Sequence, residues 1–143
     1  MKKIIYSTPL GVSVVHPTGE VPFEVVLVKD VPPDADYEVV DESKIPADRL
    51  FRKAWRKEGS EVVVPLDLAK EAAHDIRRAL RDIEMAPLDV KVGVPSQAVQ
   101  AELERKNIRD KYADIQNQVD AANDVSTLKA VIEPLKNSIL NAR

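Results

Sequence analysis

Proline placement sets the strongest limit on how this chain of 143 residues can fold. Eight of its 10 prolines lie between Pro9 and Pro87, and only Pro95 and Pro134 follow. A proline inside a helix removes a backbone hydrogen bond and collides with the preceding turn, and within sheets proline is confined to edges and bulges. The first part of the chain is therefore expected to contain short elements and turns, and the second part to be mostly helical.

Strand patterns and turn residues organise the first part. A β-hairpin is predicted from strands at 3–6 and 12–15, a third strand at 37–40, and a fourth at 61–64 after a turn at 57–60. The segment 22–29 is open between a strand, which its β-branched residues favour, and a short helix, which a proline at a first-turn position favours. We prefer the helix.

Apolar residues at helical spacing dominate from Asp67 onward. Asp67 is predicted to cap a first long helix that Pro87 ends, and a second is predicted from Ser96 to about residue 122. A third begins at Ser126, and Pro134 should kink it or end its regular part.

Together these patterns predict an α+β fold, with a small antiparallel sheet and a short helix in the first half and long helices in the second half. The expected subdomains are a β-rich one at residues 1–65 and a helical one at 66–143.

Composition narrows the function classes. The formal net charge of −3 argues against wholesale nucleic-acid binding, which needs a basic footprint. The absence of cysteine excludes disulfides, thiolate metal sites and a cysteine nucleophile. No apolar run approaches the length that spans a membrane, and the first residues do not form a secretory signal. We expect a soluble protein that is made inside the cell and does not interact with membranes.

The segment 46–56 concentrates aromatic and cationic side chains. It holds the only tryptophan, Trp55, and one of two phenylalanines, Phe51, although aromatic residues make up 4% of the chain. If the segment is a short helix capped by Asp48, the four-residue spacing places both rings on one face. The rings then either fill the seam between the β-rich half and the first long helix, or form the centre of a partner-binding site. In the second interpretation the binding residues are Arg49, Phe51, Arg52, Trp55 and Arg56.

Residues 48–55, Asp-Arg-Leu-Phe-Arg-Lys-Ala-Trp, are similar to an Asp-Arg-Thr-Phe-Arg-Asn-Ala-Trp signature of small proteins encoded among the tail genes of tailed bacteriophages and prophages. Segments 12–17, 29–32, 37–41 and 45–46 follow in the family's order, and the resemblance implies a helix at 22–29. The sequence departs from the family at Leu50, where threonine is usual, and at Lys53, where asparagine is usual.

The second half resembles the C-terminal region of phage tail assembly chaperones. Residues 88–90, 108–110 and 128–131, together with Pro134, keep that region's order and spacing, whereas residues 92–95 depart from it. The resemblance implies a tail or tail-fibre assembly chaperone, or a small structural component of the tail or baseplate, that works by protein–protein contacts. Its expected partner is the tail fibre or another tail protein, and its expected location is the host cytoplasm during assembly and the virion tail if it is retained.

Other candidate sites carry no recognisable chemistry. The two histidines, His16 and His74, lack companions at metal-ligand spacing, and no nucleophile motif is present, so neither an enzyme nor a cofactor or metal is predicted. Two basic clusters, Arg49–Lys57 and Arg77–Arg81, leave a small nucleic-acid-binding regulatory protein as the alternative function. The apolar stripe of the second long helix is expected to pack inside the molecule, and a part left exposed would favour a homo-oligomer or another partner.

Overall fold

The computed structural model describes residues 1–141 and divides the chain into two compact units, Met1–Leu68 (unit 1) and Ala69–Arg143 (unit 2). The fold is α+β, as the sequence predicts, with short strands and a short helix in the first half and three long helices in the second half. The predicted boundary after residue 65 lies close to this division.

A three-stranded antiparallel sheet forms the centre of unit 1. The strands are β1 (Lys2–Thr8), β2 (Gly11–Val15) and β3 (Tyr37–Asp41), in the order β2-β1-β3. Ile4 lies opposite Val15 on β2 and opposite Val39 on β3, which fixes the register. The predicted hairpin and third strand are confirmed.

One face of this sheet is covered by a short helix. The segment that was open between strand and helix forms α1 (Phe23–Asp30). Its inward residue Val26 is buried with Ile4 and Val31, and apolar neighbours complete this cluster: Tyr6, Val15, Phe23, Leu27 and Ala35.

The opposite face of the sheet packs against Trp55. Ile5, Val12 and Val40 surround it, and Ile45, Val62 and Val64 are partly buried against the same cluster. Successive residues of a strand point to opposite faces, so Ile4 and Ile5 enter different clusters.

A second small hairpin follows this core, with β4 (Arg56–Glu58) paired to β5 (Glu61–Val63). The prediction of a turn at 57–60 was too long, because residues 56–58 form a strand and the turn centres on Gly59, whose φ is +58°. That left-handed conformation is inexpensive only for glycine.

Unit 2 is built from α2 (Leu66–Lys91, which begins at the end of unit 1), α3 (Ala98–Ala121) and α4 (Val125–Leu140). The stripe predicted on α3 is mostly buried, including Tyr112, Ile115 and Val119. Residues of α2 and α4 are also buried in unit 2: Ala69, Ala72, Ala73, Leu80, Leu128 and Ile132.

Pro87 does not end α2, which corrects that prediction, and α4 continues past Pro134 to Leu140. Pro87 lies inside α2 and Pro134 inside α4. Both prolines are exposed, whereas Leu88 and Ile139 beyond them are buried. Burial of these side chains offsets the missing backbone hydrogen bond, so each helix continues past its proline.

The predicted caps also differ from those observed. Asp67 lies within the first turn of α2, and α3 starts after Gln97 rather than at Ser96. Asp124, not Ser126, caps α4, and its Oδ1 accepts hydrogen bonds from the amide and the hydroxyl of Thr127, both at 2.7 Å. These bonds lower the pKa of the Asp124 carboxyl.

Candidate partner-binding surfaces

The segment 46–56 places its two large rings inside the molecule. Trp55 is 1% exposed and Phe51 is 5% exposed. The predicted short helix is a single 3-10 turn at Arg52–Ala54, and Trp55 has the extended dihedral angles φ −61° and ψ 136°. Asp48 accepts a hydrogen bond from the Leu50 amide at 2.9 Å, and this bond stabilises the chain turn that precedes the 3-10 turn. The rings therefore serve packing, and neither is presented as a surface anchor.

Arg49 and Arg52 lie over the Trp55 ring. Their guanidinium carbons are 5.7 and 4.4 Å from its centroid, within the range of cation–π attraction. Arg52 also donates a hydrogen bond from Nη2 to the carbonyl of Val12 at 2.6 Å, so it joins this segment to β2. Burial lowers the pKa of Arg52, and the charge of Arg49 adds to the effect.

Arg56 and Lys57 are held by internal contacts. Arg56 Nη1 donates to the carbonyls of Trp55 and Lys53, at 2.7 and 3.1 Å. The side chain of Lys57 is 1% exposed, and its ammonium lies 3.1 Å from the carboxylate of Asp36. Of the five residues predicted to bind a partner, only Arg49 is classed as exposed, and the structure gathers the others into the packing of unit 1.

The second basic cluster is similarly engaged. Arg77 is buried and donates from Nε to His74 Nδ1 at 3.2 Å, and His74 Nε2 lies 2.8 Å from Asp120 Oδ1. Because Nδ1 accepts from Arg77, Nε2 carries the proton that is donated to Asp120. Burial lowers the pKa of Arg77, and the charges of Arg78 and Arg81 add to this effect. These contacts connect α2 to α3 within unit 2.

The outer side of α1 exposes apolar side chains. Val26 faces the sheet, whereas Val25 and Val28, three residues apart on the helix, are exposed, Val28 by 83%. Although α1 also carries Glu24, Lys29 and Asp30, these two valines present apolar area away from the core. This exposed face was not predicted from the sequence, although the valines on both sides of the short helix in segment 21–28 were a visible signal.

The edge strand β3 adds two exposed apolar side chains on the same side of the sheet. Tyr37 lies opposite Tyr6 and Val39 opposite Ile4, and these two β1 residues belong to the cluster that α1 covers. Both β3 side chains are exposed. We call Val25, Val28, Tyr37 and Val39 the α1–β3 surface.

The backbone of β3 is open along one edge. The bonds Ser7 N to Asp36 O and Glu42 N to Met1 O, at 3.1 and 2.9 Å, show that even-numbered residues of β3 face β1. In an antiparallel ladder the alternate residues then direct their amide and carbonyl groups outward, here Tyr37, Val39 and Asp41. Within residues 1–141, no backbone hydrogen bond from another segment covers this edge.

Unit 2 carries a separate shallow groove between α2 and α3. It encloses about 440 Å³ and is lined by Pro87, Leu88 and Ile108, with Glu84 and Glu104 beside them. Glu84 accepts a hydrogen bond from the buried Tyr112 hydroxyl and pairs with Lys111 at 2.8 Å, so its carboxylate is already occupied.

The described part of the chain offers no assembly for metal chemistry. No group of three or more histidine, aspartate or glutamate side chains within residues 1–141 is arranged to hold a metal ion. No helix among these residues is long and apolar enough to cross a membrane.

Comparisons with protein-family models, curated proteins and solved structures find no match to this chain. The site is therefore interpreted from its own geometry and from the motif at residues 48–55.

Proposed function

We propose that this chain is a tail-associated protein of a bacteriophage or prophage that works by binding another tail protein. It acts either as an assembly chaperone for the tail fibre or as a small structural component of the tail or baseplate. The similarity of residues 48–55 to the tail-gene signature supports the phage assignment. It acts in the host cytoplasm during assembly, and in the virion tail if it is retained.

The α1–β3 surface is the observation that carries the binding mechanism. Exposed valines on α1 and exposed Tyr37 and Val39 on β3 supply apolar area, and the outer edge of β3 supplies backbone groups that make no backbone hydrogen bond within residues 1–141. An extended segment of a partner that adds to such an edge gains main-chain hydrogen bonds, and its alternate side chains meet the apolar residues. The occupant in this proposal is an extended segment of the tail fibre or of another tail protein.

The buried rings change the assignment of individual residues. Since Phe51 and Trp55 lie inside unit 1, the anchoring role moves to Tyr37 and the α1 valines. Arg49 keeps the role of orienting an acidic partner, because it is the exposed arginine of the segment.

The geometry gives less support to the nucleic-acid alternative. Arg52, Arg56 and Lys57 in one basic cluster and Arg77 in the other are held by carbonyls, a carboxylate or a histidine. Phosphate binding would have to break these contacts. A steep dependence of DNA or RNA binding on salt is the result that would favour this alternative.

Co-expression with the tail fibre protein of the same phage or prophage tests the proposal. The fibre should be soluble and assembled with the chain present and should aggregate without it. Mass spectrometry of purified particles then separates the two roles, since a structural component stays in the particle and a chaperone does not. If the fibre assembles equally well alone and the chain is absent from particles, the proposal is wrong.

A further inference from the structure

A cleft of about 690 Å³ opens at one end of the sheet in unit 1. Three basic side chains line it, Lys3, His16 and Arg49, and two acidic ones, Asp41 and Glu42. This cleft does not include the four side chains of the α1–β3 surface. It shares with the binding mechanism proposed above only Arg49 and the backbone of Asp41 at the open edge of β3.

The sheet register brings Lys3 and His16 together. Ile4 and Val15 are the last pair between β1 and β2. His16 follows Val15, and Lys3, beside Ile4, pairs with Val40 on β3. Paired residues share a face of the sheet. This is the face of Ile5 and Val40, opposite to α1.

Within the described residues 1–141, Lys3 has no anionic partner, although it is only 7% exposed. Among residues 1–141 its ammonium makes one polar contact, a 3.4 Å contact to the thioether sulfur of Met1, which is a weak acceptor. A buried ammonium normally needs a paired charge, since removing it from water is costly.

The acidic residues of the cleft leave Lys3 unpaired. Asp41 accepts a hydrogen bond from the Ser43 amide at 3.0 Å and lies 3.8 Å from the terminal amine of Met1. The Ser43 bonds and this amine lower the pKa of Asp41. Asp41 and Glu42 are both exposed, and neither forms an ion pair with Lys3 within the described residues.

We infer that this cleft binds a compact oxyanion, a carboxylate or a phosphate group. Lys3 supplies a buried positive charge, Arg49 supplies a second charge and a planar donor, and His16 supplies a ring N–H. Carboxylates and phosphates match these donors because charge-assisted hydrogen bonds are short and strong.

The two histidines of the chain allow a direct test by NMR. Imidazole resonances of the full chain are followed during titration with inorganic phosphate and, separately, with acetate. The pH and the ionic strength are held constant with sodium chloride. His16 reports on the cleft, and His74, which lies in unit 2 beside Asp120, is the internal control.

Variants connect the response to Lys3. Lys3→Met removes the charge and keeps an unbranched side chain, and Lys53→Met is the matched control on an exposed lysine outside the cleft. Saturable shifts of His16 alone, at least about tenfold weaker in Lys3→Met and unchanged in Lys53→Met, are expected. If Lys3→Met fails to fold, Arg49→Gln, at an exposed position, takes its place, and its anion affinity is compared with that of the wild type in the same way.

The probes distinguish the source of the anion. Saturation by phosphate alone supports a phosphoryl group as ligand, and saturation by acetate supports a carboxylate. Equal responses of His16 and His74, a shift that does not saturate with either anion, or unchanged affinity in the folded cleft variants would overturn the inference.

Discussion

At Gly11 the backbone of β2 approaches the Trp55 segment so closely that a side chain there would make tight contacts. Its φ is +141°, and a Cβ there would lie 3.1 Å from both the Trp55 carbonyl oxygen and Arg56 Nη1. Those two atoms are hydrogen-bonded to each other at 2.7 Å. The glycine therefore permits the contact that holds segment 46–56 against the sheet.

Gly11→Ala is expected to lower the free energy of unfolding by about 1–3 kcal/mol, since it adds backbone strain and a close contact with a backbone oxygen. Gly19→Ala is the control, because its φ is +86° but nothing lies within 4 Å of its Cβ. Urea unfolding followed by the fluorescence of Trp55 measures both. A Gly11→Ala cost no larger than that of Gly19→Ala would contradict the close-contact argument.

Arg52 provides a second test at a single residue. Lysine at this position loses the planar group over Trp55 and the 2.6 Å hydrogen bond to Val12, so Arg52→Lys should cost about 1–2 kcal/mol. Arg49→Lys, at an exposed position, should cost less than about 0.5 kcal/mol. The same fluorescence measurement applies. Equal costs for the two substitutions would show that the Val12 bond contributes nothing.

The residue scale also shows why the aromatic segment could be located from sequence but not interpreted. Rare large side chains among cations identify a special segment, whatever its conformation. Whether Phe51 and Trp55 face inward depends on a 3-10 turn and on the approach of Gly11, which comes from a distant part of the chain. Local spacing holds no information about that contact.

Among the elements, α2 tests how a helix tolerates an internal proline. Pro87 is exposed and has no amide to donate, so Pro87→Ala should raise the free energy of unfolding by about 1–3 kcal/mol. Pro95→Ala, in the turn before α3, should instead lower it by about 0.4–1 kcal/mol, because proline limits the unfolded chain there. Circular dichroism during urea unfolding measures both. A destabilising Pro87→Ala would contradict the helical assignment.

The contact between α2 and α3 predicts a dependence on alkaline pH. Burial, followed by the hydrogen bond to Glu84, raises the pKa of the Tyr112 phenol above its ordinary value of 10.0. The unfolded chain therefore loses this proton first. The contribution of the Tyr112 proton to the free energy of unfolding is fully present below about pH 10. It is lost as the pH rises further, by no more than about 1.4 kcal/mol per pH unit.

Tyr112→Phe should remove this component of the pH dependence, and Tyr37→Phe, at an exposed position, should not. Urea unfolding from about pH 8 to about pH 11, a range that brackets the ordinary pKa of tyrosine, tests this expectation. Parallel curves for wild type and Tyr112→Phe would contradict the shifted pKa.

Elements were predictable where local signals dominate. The β1–β2 hairpin follows from two alternating runs around a proline–glycine turn, and α3 follows from a sustained apolar stripe. β4 was missed because Arg56-Lys57-Glu58 has no apolar pattern, and its strand depends on pairing with β5 and on the Lys57–Asp36 ion pair. Helix ends were missed where burial beyond a proline outweighs the proline's own preference.

For the whole molecule, the proposed functional context and the proposed binding surface come from different observations. Residues 48–55 suggested phage tails, whereas the exposed α1–β3 surface follows from strand order and from the side of the sheet that α1 covers. Neither feature can be derived from the other. The central claim is that this surface binds a tail protein, with a second copy of the chain as the competing occupant.

Substitution on α1 tests that claim most directly. Val28→Lys places a charge on the exposed face near the end of α1, and Val90→Lys does the same near the end of α2, where the valine is 73% exposed. Both lysines suit a helix C-terminus, so folding should be unchanged. Unchanged Trp55 emission and circular dichroism confirm it.

The measurement is the affinity of each variant for the purified tail fibre protein of the same phage or prophage, with light scattering to detect self-association. Val28→Lys should weaken binding at least about tenfold and Val90→Lys by less than about twofold. Full binding of the fibre protein by Val28→Lys would contradict the account. So would a wild-type chain that does not bind the fibre protein but forms a homo-oligomer that Val28→Lys disrupts.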